Sequence, residues 1–430
     1  MRERRRSGAV SYGVLILNIR LLDRLRAVPD EYVPLCELGT DLQQVRDDLT
    51  SLVSFGFRIE QHPYRGASYV GHAERLCPDQ IEHELATRWI GRRIAVWNRV
   101  TSTNDLAIRA GESRSNNGLV VLAEEQTTGR GRHGRSWTAP PRSSILMSIL
   151  VFPPPHLLSG DGAGGSGGQA WLTALGAIAT AEVVSSWIGE SARIKWPNDV
   201  RVRGRKIAGI LVERSSASSR KPGSARSVSK SGWGAAIGIG LNVNLRHEDF
   251  PPELVARATS LRIERGGESV DRSDLARDLI SRLDHWYDLS RVDGTESLSA
   301  AWCQRSEHLG CSVRVSTSRE KVVGRFVDLD FRAGITVELD SLSIGPSHNA
   351  DFPPESGIPG HDSSPDTQRE SAVAPERSGS AAGYQVPRLV RLPLADVRSI
   401  EAVDECQSSR AIDSDSGNAG SGTVQHAVLD

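Results

Sequence analysis

The hydrophobic pattern near the start of the chain predicts two helices followed by a hairpin. Apolar side chains recur at helical intervals over residues 10–28 and again over 41–54, where Asp41 stands at the N-cap position. Two strand-like stretches within residues 57–70 flank a turn-forming Pro-Tyr-Arg-Gly sequence. Helix, helix and hairpin in this order indicate a small winged helix-turn-helix domain, which we place at residues 1–79.

Longer elements follow from about residue 80, and their pattern predicts an α+β domain over residues 80–306. The predicted strands cover 119–123, 145–152, a hairpin over 193–213 that turns at Gly204, and 234–245; the predicted helices cover 170–187 and 271–290. Because hairpins join neighbouring antiparallel strands, we expect a largely antiparallel sheet.

A second run of short strands predicts a small C-terminal barrel over residues 307–403. Its strands lie between 311 and 339 and between 389 and 402. Residues 341–388 interrupt it with many Pro, Ser and Gly residues, which cannot form a packed core and should be disordered. Three further polar tracts are predicted to be flexible: 159–168, 215–231 and the tail 404–430.

Charge and composition narrow the classes of function. The 430 residues carry 52 Lys and Arg against 53 Asp and Glu, so a general affinity for nucleic acid or anionic membrane is not expected and any anion site must be local. No apolar stretch reaches the ~18 residues of a membrane span, and residues 10–28 fit an amphipathic helix better than a signal peptide. Five scattered cysteines favour reduced thiols over a disulfide or zinc framework. We expect a soluble, cytoplasmic protein.

The densest chemical signal is the sequence GRGRHGR at residues 129–135. It matches the G-x-G-x-x-G dinucleotide fingerprint, but the prolines in residues 136–141 prevent a helix from starting there and no acid follows at the required distance. Three arginines between glycines instead suit a polyanion, because the backbone can approach closely while the guanidinium groups bind its oxygens. A phosphate-binding loop that is mobile when empty and a solvated basic or nucleic-acid-binding tract both fit this sequence alone.

Five motifs in a fixed order place this segment in context. They are Ser102-Thr103-Asn104, Glu125-Gln126 before the arginines, Lys195-Trp196-Pro197-Asn198-Asp199, KIAGILVE at 206–213 and GIGLNVN at 238–244. With them the chain closely resembles the biotin protein ligase family. Its larger members join a winged helix-turn-helix, a catalytic domain of the class II aminoacyl-tRNA-synthetase-like fold and an SH3-like barrel. The resemblance covers residues 21–341 and 384–403.

The resemblance implies a two-step ligase that uses ATP, biotin and Mg²⁺. The biotin carboxylate attacks the α-phosphorus of ATP to give biotinyl-5'-AMP, and a lysine of a biotin carboxyl carrier protein then takes the biotinyl group. The implied catalytic residues are Lys195, Arg130 and Arg132. The implied biotin-binding residues are Ser102, Thr103, Asn104, Gln126, Arg130, Gly131, Arg132, Lys195 and Gly209. The implied adenylate-binding residues are Arg130, Arg132, Arg135, Trp137, Lys195 and Asn242. Metal ligands are not implied.

Some residues keep two interpretations at this point. Trp137 fits either stacking on adenine or plain packing. The glycines at 209, 238 and 240 fit either close approach of strands to a ligand or simple packing. Asp199 is a candidate partner for the incoming amine, and His133 has no assigned role.

Two alternative functions and one assembly question stay open. A bifunctional repressor would use the N-terminal domain to bind DNA. The helix expected to recognise DNA, however, carries three acids, Asp41, Asp47 and Asp48, and one cation, Arg46, and carboxylates repel a phosphate backbone. Residues 2–6 are Arg-rich and still offer a basic arm. A lipoate or octanoate ligase would use a related catalytic fold. Homodimerisation through a sheet edge is also left open.

Overall fold

The computed structural model describes residues 16–157, 167–214, 234–339 and 388–403. The predicted disordered insertion at 341–388 and the tail 404–430 lie outside these residues except for residue 388. The insertion at 215–231 lies wholly outside them. The predicted insertion at 159–168 extends two residues too far, because Gly167 and Gly168 begin a helix.

The N-terminal unit consists of three helices and a hairpin. They are α1 (Ile19–Arg26), α2 (Leu35–Leu38), α3 (Leu42–Phe55), β1 (Arg58–His62) and β2 (Gly66–Gly71). Asp41 caps α3 as predicted, since its carboxylate accepts from the backbone N–H groups of Gln43 and Gln44. The predicted apolar face of α3 was too wide: Leu42 and Val53 are exposed. The first helix begins only at Ile19, because Asn18 caps it, and residues 10–15 lie outside the described part.

The middle of the chain forms a mixed α/β unit. Its elements are α4 (Pro78–Glu82), β3 (Arg93–Trp97), α5 (Thr103–Ala110), β4 (Leu119–Ala123), β5 (Ser144–Val151), α6 (Gly167–Ile188), β6 (Arg193–Lys195), β7 (Asp199–Val202), β8 (Arg205–Arg214), β9 (Ala235–Asn242), α7 (Leu261–Glu264), α8 (Arg272–Asp293) and α9 (Glu296–Arg305). The seven strands lie in the order β3-β4-β5-β9-β8-β7-β6, and only β3 and β4 run parallel. The largely antiparallel sheet is therefore confirmed.

The stretch predicted as one hairpin over 193–213 contains three strands. β7 and β8 turn at Arg203 and Gly204, both with positive φ, which is the geometry of a tight two-residue hairpin turn. A second reversal, at residues 196–198, adds the short strand β6, which pairs with β7. The three-residue length of β6 explains why the apolar pattern did not separate it.

The two faces of this sheet are covered differently. Helices α6 and α8 bury one face in a large apolar core that includes Leu175, Ile178 and Leu279. Helix α6 is long and apolar enough over Gln169–Ile188 to span a membrane, but 67% of its most apolar window is buried, as in a core helix. Among the described residues, helix α5 and a small cluster around Ala107 cover part of the other face, and a site can lie on the rest of it.

The C-terminal unit is a five-stranded antiparallel sheet. Its strands are β10 (Ser312–Thr317), β11 (Lys321–Asp330), β12 (Gly334–Leu339), β13 (Leu389–Leu392) and β14 (Val397–Ala402), in the order β13-β12-β11-β10-β14. The prediction that strands beyond the insertion complete this sheet is confirmed, since β13 pairs with β12 and β14 pairs with β10. One prediction on cysteines was wrong, because Cys311 is disulfide-bonded.

Polar contacts join the N-terminal unit to the middle one at the start of α8. Arg26 pairs with Asp274, and Cys77 donates its backbone N–H to Ser273 Oγ at 2.9 Å. Deeper inside, Arg272 and Glu124 form a buried ion pair at 2.7 Å with side chains only 3% and 6% exposed. Glu124 also accepts a hydrogen bond from the backbone N–H of Leu76, so the connection between the units is anchored in the core.

Candidate active site

Strand register brings several predicted residues into one row. Lys195 pairs with Asp199, Asp199 with Gly209, Gly209 with Gly240, and Gly240 with Leu146. Residues opposite each other in a ladder project from the same face of the sheet. We call this the site face; it is the face that α5 only partly covers.

The same alternation extends the site face along the central strands. Gly238 lies opposite Ser148 on β5 and opposite Leu211 on β8. Asn242, two residues beyond Gly240, lies opposite Ser144. A two-residue period keeps all of these positions on the side that carries Gly240.

The arginine loop, residues 129–137, folds as a small hairpin above this face. Arg130 and Ser136 form an antiparallel bridge, and Gly131 donates its backbone N–H to the Arg135 carbonyl at 2.7 Å. A single 3-10 turn closes the tip at Arg132–Gly134. No helix starts here, in agreement with the rejection of a dinucleotide fold. The expectation that the loop is mobile when empty stays a prediction.

The tryptophan that ends the loop packs on the two glycine strands. A Cβ atom on Gly240 would lie 2.7 Å from Trp137 Cζ2, and one on Gly209 would lie 3.2 Å from Cζ3. Trp137 Nε1 is buried and has no hydrogen-bond partner among the described residues. The glycines therefore provide the flat floor on which the indole lies, and a donor remains available there for a bound group.

Arg130 is held by two carboxylates from different elements. Its guanidinium donates to Asp105 Oδ1 at 2.7 Å and Oδ2 at 3.2 Å, and to Glu213 Oε2 at 3.0 Å. The hydrogen bonds that Arg130 donates, first to Asp105 and then to Glu213, raise the pKa of Arg130, and the bond to Asp105 lowers the pKa of that carboxyl group. The two carboxylates thus balance the charge of Arg130, and an incoming anion must compete with them.

The other loop cations differ in their surroundings. Arg132 is half-buried and donates to Asn198 Oδ1 at 3.3 Å. Burial lowers the pKa of Arg132, while the charge of Asp199 opposes that shift. Arg135 and His133 are exposed. Arg132 is therefore directed toward the lysine-bearing strands, whereas Arg135 lies at the rim.

The biotin-binding segment predicted at 102–104 opens helix α5, which the sequence pattern did not predict. Gln126 Oε1 accepts from both the backbone N–H and the hydroxyl of Thr103, at 2.7 and 3.0 Å. The distant Gln126 therefore supplies the N-terminal cap that Ser102 does not. The structure brings Thr103 and Gln126 together at the start of α5, next to Ser102.

Asn104 lies deeper in the same pocket. Its Nδ2 donates to Glu213 Oε2 at 2.6 Å, and its Oδ1 accepts from Ser148 Oγ at 2.6 Å. A Cβ atom on Gly238 would lie 3.0 Å from Asn104 Cγ, so that glycine is required to make room for the amide. Ser148 is fully buried and also lies 2.7 Å from Thr103 Oγ1.

The remaining predicted residues lie at the ends of this face. Asn242 is buried and donates to the Thr259 carbonyl at 3.1 Å. Its neighbour Ser144 has a buried hydroxyl with no partner among the described residues. Lys195 is half-buried at the end of β6. The pKa of His308 is lowered to about 4, first by the burial of the imidazole and second by the charge of Lys195.

A cavity of about 590 Å³ lies beside the loop. It is lined by residues 128–136 together with Leu211 and Glu213. Within the described ranges no group of three acidic, histidine or cysteine side chains is arranged to hold a metal ion.

Sequence reasoning missed five residues of this site. Glu213, Lys206 and Asn198 stood in the quoted motifs without a role, and Asp105 directly followed one of them. The signal that was available is charge: an acid within a cation-rich site needs a partner. Ser148 gave no signal, because a lone serine in an apolar strand is common.

Comparisons with known proteins identify relatives of this chain. Residues 96–224 match the model of the biotin/lipoate A/B protein ligase family. The biotin–[acetyl-CoA-carboxylase] ligase of Mycobacterium tuberculosis is 30% identical over 285 residues, which cover 63% of this chain and 94% of that protein. The bifunctional ligase/repressor BirA of Bacillus subtilis is 27% identical over 303 residues, 70% of this chain and 87% of that protein.

One solved structure with a similar fold is the biotin protein ligase from Aquifex aeolicus in complex with biotin and ATP. It covers 58% of this chain and 93% of that one, at 23% identity and a TM-score of 0.46. The family match and the relatives place this chain among the biotin and lipoate ligases. Because the chain is 30% identical to the Mycobacterium tuberculosis ligase and covers 94% of it, the chain belongs to the biotin protein ligase family.

Proposed function

We propose that the chain joins biotin to ATP to form biotinyl-5'-AMP and then transfers the biotinyl group to a lysine of a biotin carboxyl carrier protein. The observation that carries this proposal is that the strand register places Lys195 on the glycine-floored face, while Arg130 contacts Glu213 and Arg132 contacts Asn198 on the strands of the same sheet and the turn between them. Adenylation brings a carboxylate against a triphosphate, so a site for it must supply positive charge where charge develops. Lys195 is the cation for the reacting carboxylate and α-phosphate.

The biotin head group fits the polar pocket at the start of α5. A ureido group both donates and accepts hydrogen bonds. Thr103, Asn104 and Gln126 offer hydroxyl, amide and carbonyl groups within 3.0 Å of one another or of Ser148 and Glu213. Because these groups are already joined in a network, they are held in place before the ligand arrives.

The adenylate fits the cavity that the arginine loop lines together with Leu211 and Glu213. Arg130 and Arg132 would hold the phosphate, and Trp137 with Asn242 would contact the base. We assign Gly209 and Gly131 to the same site, where they allow the ligand to approach the backbone. Arg135, which is exposed, would act from the rim.

Mg²⁺ would enter with the nucleotide, since this ion is usually held by substrate phosphates and few protein carboxylates. The described residues supply Asp105 and Glu213 near the loop, but both are engaged with Arg130. We assign no step to a protein-held metal.

Two assays test the proposal. Biotin-dependent exchange of pyrophosphate into ATP measures the first step, and transfer of labelled biotin to a carrier domain measures the second. Lipoate in place of biotin tests the related ligase function, which the family name leaves open. Activity with lipoate and none with biotin would overturn the proposal.

A second candidate, repression of biotin synthesis genes, rests on the BirA relatives and on the helix-and-hairpin shape of the N-terminal unit. We interpret that unit, residues 1–79, as a winged helix-turn-helix and the C-terminal sheet, within 307–403, as an SH3-like barrel. The acids on α3 oppose DNA binding, but two of them have local partners: Asp48 accepts from Asn18, and Asp47 accepts from Gln43. Gel-shift titration against the biotin-synthesis promoters of the same organism tests this function. Saturable, adenylate-dependent binding that weakens with salt would establish a repressor.

Location and assembly complete the proposal. A ligase that modifies carboxylases with ATP works where both are made, so we propose a cytoplasmic enzyme. Dimerisation through a sheet edge is tested by sedimentation with and without biotin and ATP.

A further inference from the structure

A buried hydroxyl group without a partner lies at one end of the site face. Ser144 is only 2% exposed, and its Oγ forms no hydrogen bond with any residue that the structure describes. An unpaired buried hydroxyl group is destabilising, because it has lost its hydrogen bonds to water and gained none in return. Such a group in a folded protein calls for a partner from outside the chain.

A second buried donor without a partner lies close to the first. Trp137 Nε1 has no hydrogen-bond partner within the described ranges, and the indole lies over Gly240. Gly240 is two residues before Asn242, which lies opposite Ser144 in the ladder of β5 and β9. Two residues along a strand span about 7 Å, so both donors border the same end of the site face.

The backbone fixes the position of Ser144. Its carbonyl accepts from Arg272 Nη1 at 3.1 Å, and Arg272 is itself only 3% exposed. The carbonyl of the preceding residue, Ser143, accepts from the Asn244 N–H at 2.7 Å. The start of β5 is therefore held against the end of β9, and the Ser144 hydroxyl group stays beside Asn242.

Asn242 contributes an acceptor next to this hydroxyl group. Its Nδ2 donates to the Thr259 carbonyl at 3.1 Å, and Thr259 is fully buried. Because a carbonyl accepts and cannot donate, this bond fixes which arm of the amide is the nitrogen. Oδ1 is then the arm directed away from Thr259. Opposite residues in a ladder have Cβ atoms about 4.5–5.5 Å apart, so Ser144 and Asn242 present a donor and an acceptor side by side.

The edge of adenine carries the complementary pattern. Its 6-amino group is a donor, and the ring nitrogens N1 and N7, which flank that group, are acceptors. A purine with a 6-oxo group has an acceptor where adenine has a donor, so it would set a carbonyl oxygen against Asn242 Oδ1. The pair of side chains therefore matches adenine and opposes a 6-oxo purine.

We propose that Ser144 is a specificity-determining residue for the base: its hydroxyl group donates to a ring nitrogen of adenine, while Asn242 Oδ1 accepts from the 6-amino group. This inference rests on the proposed function and adds Ser144 to its adenylate contacts. Trp137 is half-buried above Gly240, so a shift of the indole admits the base to both atoms.

Analogues of ATP in which C–H replaces one ring nitrogen test this hydrogen bond. Biotin-dependent pyrophosphate exchange is measured with ATP, 1-deaza-ATP and 7-deaza-ATP. In the native chain we expect KM to rise about 3- to 10-fold for one of the two analogues, the effect of one neutral hydrogen bond, and to change little for the other. Ser144→Ala should raise KM for ATP by the same factor at nearly unchanged kcat, and it should no longer distinguish ATP from that analogue.

Thermal melting separates this role from a structural one. Because Ser144 Oγ has no partner in the described part of the chain, Ser144→Ala should melt at or above the native temperature without nucleotide. Ser143→Ala is the matched control. It removes a hydroxyl group that donates to the Pro140 carbonyl at 2.7 Å, so it should melt at a lower temperature and keep the native pattern of KM values.

Three results would overturn the proposal. They are a native chain that treats both analogues like ATP, a native KM for ATP in Ser144→Ala, and a Ser144→Ala variant that still discriminates against the same analogue. In each case the hydroxyl group does not bond the base. A native chain that shows no biotin-dependent exchange with ATP would instead refute the proposed function.

Discussion

Gly240 lies directly beneath the indole of Trp137: a Cβ atom at this position would lie 2.7 Å from Cζ2 and 2.8 Å from Nε1. Both distances are shorter than real Cβ contacts, so a side chain here must displace either the indole or the strand. The arrangement links the end of the arginine loop to the centre of the sheet.

Substituting Gly240→Ala should therefore move Trp137 off the floor. We expect a loss of about 1–3 kcal/mol in unfolding free energy from overpacking, together with weaker ATP binding, measured by urea titration and by KM for ATP. When Trp137 is already replaced by alanine, adding Gly240→Ala should cost much less unfolding free energy than it costs in the native chain. If the double variant loses the sum of the two single effects, the clash is not with the indole.

Arg130→Ala should release the intermediate. Arg130 joins the loop to α5 through Asp105 and to β8 through Glu213, so its removal opens the site and leaves both carboxylates facing the phosphate. We expect biotinyl-5'-AMP to accumulate in solution during turnover, detected by filtration and chromatography. Arg246→Ala, which removes an exposed arginine paired with Glu248, is the control. Unchanged leakage would show that Arg130 does not hold the adenylate.

Lys195→Ala should abolish the first step. An ammonium group that stabilises charge in the transition state raises kcat by about 10²–10³-fold. Lys195 is the residue that lies opposite Asp199 on the neighbouring strand β6. The measurement is biotin-dependent pyrophosphate exchange, with carrier biotinylation from preformed adenylate as the comparison. Exchange that persists at the native rate would remove Lys195 from the reaction.

Local signals were sufficient for much of the fold. The Asp41 cap and the tight turn at Gly204 each depend on a few neighbouring residues, and strand β4 has the predicted bounds. The start of α5 could not be predicted, because its polar sequence is capped by Gln126 from 23 positions away. The partners of Arg130 are similarly remote, with Glu213 83 positions along the chain. Patterns of one or two turns carry no information on such contacts.

The buried pair of Arg272 and Glu124 should contribute far more than its surface counterparts. Arg272→Met leaves the Glu124 carboxylate without its partner in the core, and breaking a buried pair from one side costs about 3–5 kcal/mol. Arg88→Met, which breaks an exposed pair with Asp288 at 3.4 Å, is the matched control and should cost about 0–1 kcal/mol. Urea titration of both variants checks the contrast, and equal losses would contradict the structural assignment of the buried pair.

His308 should make stability depend on pH. It is 4% exposed, and burial, followed by the charges of Lys195 and Arg201, lowers its pKa from 6.5 to about 4. Between pH 4 and pH 6.5 the His308 side chain is therefore protonated in the unfolded chain and neutral in the folded chain. His308 does not reduce the free energy of unfolding above pH 6.5, and it reduces it progressively as the pH falls toward 4. The difference corresponds to about 3 kcal/mol. In urea titrations at pH 7 and pH 4, His308→Gln should lose about that much less than the native chain. Parallel losses in the two proteins would mean that His308 is protonated in the folded state.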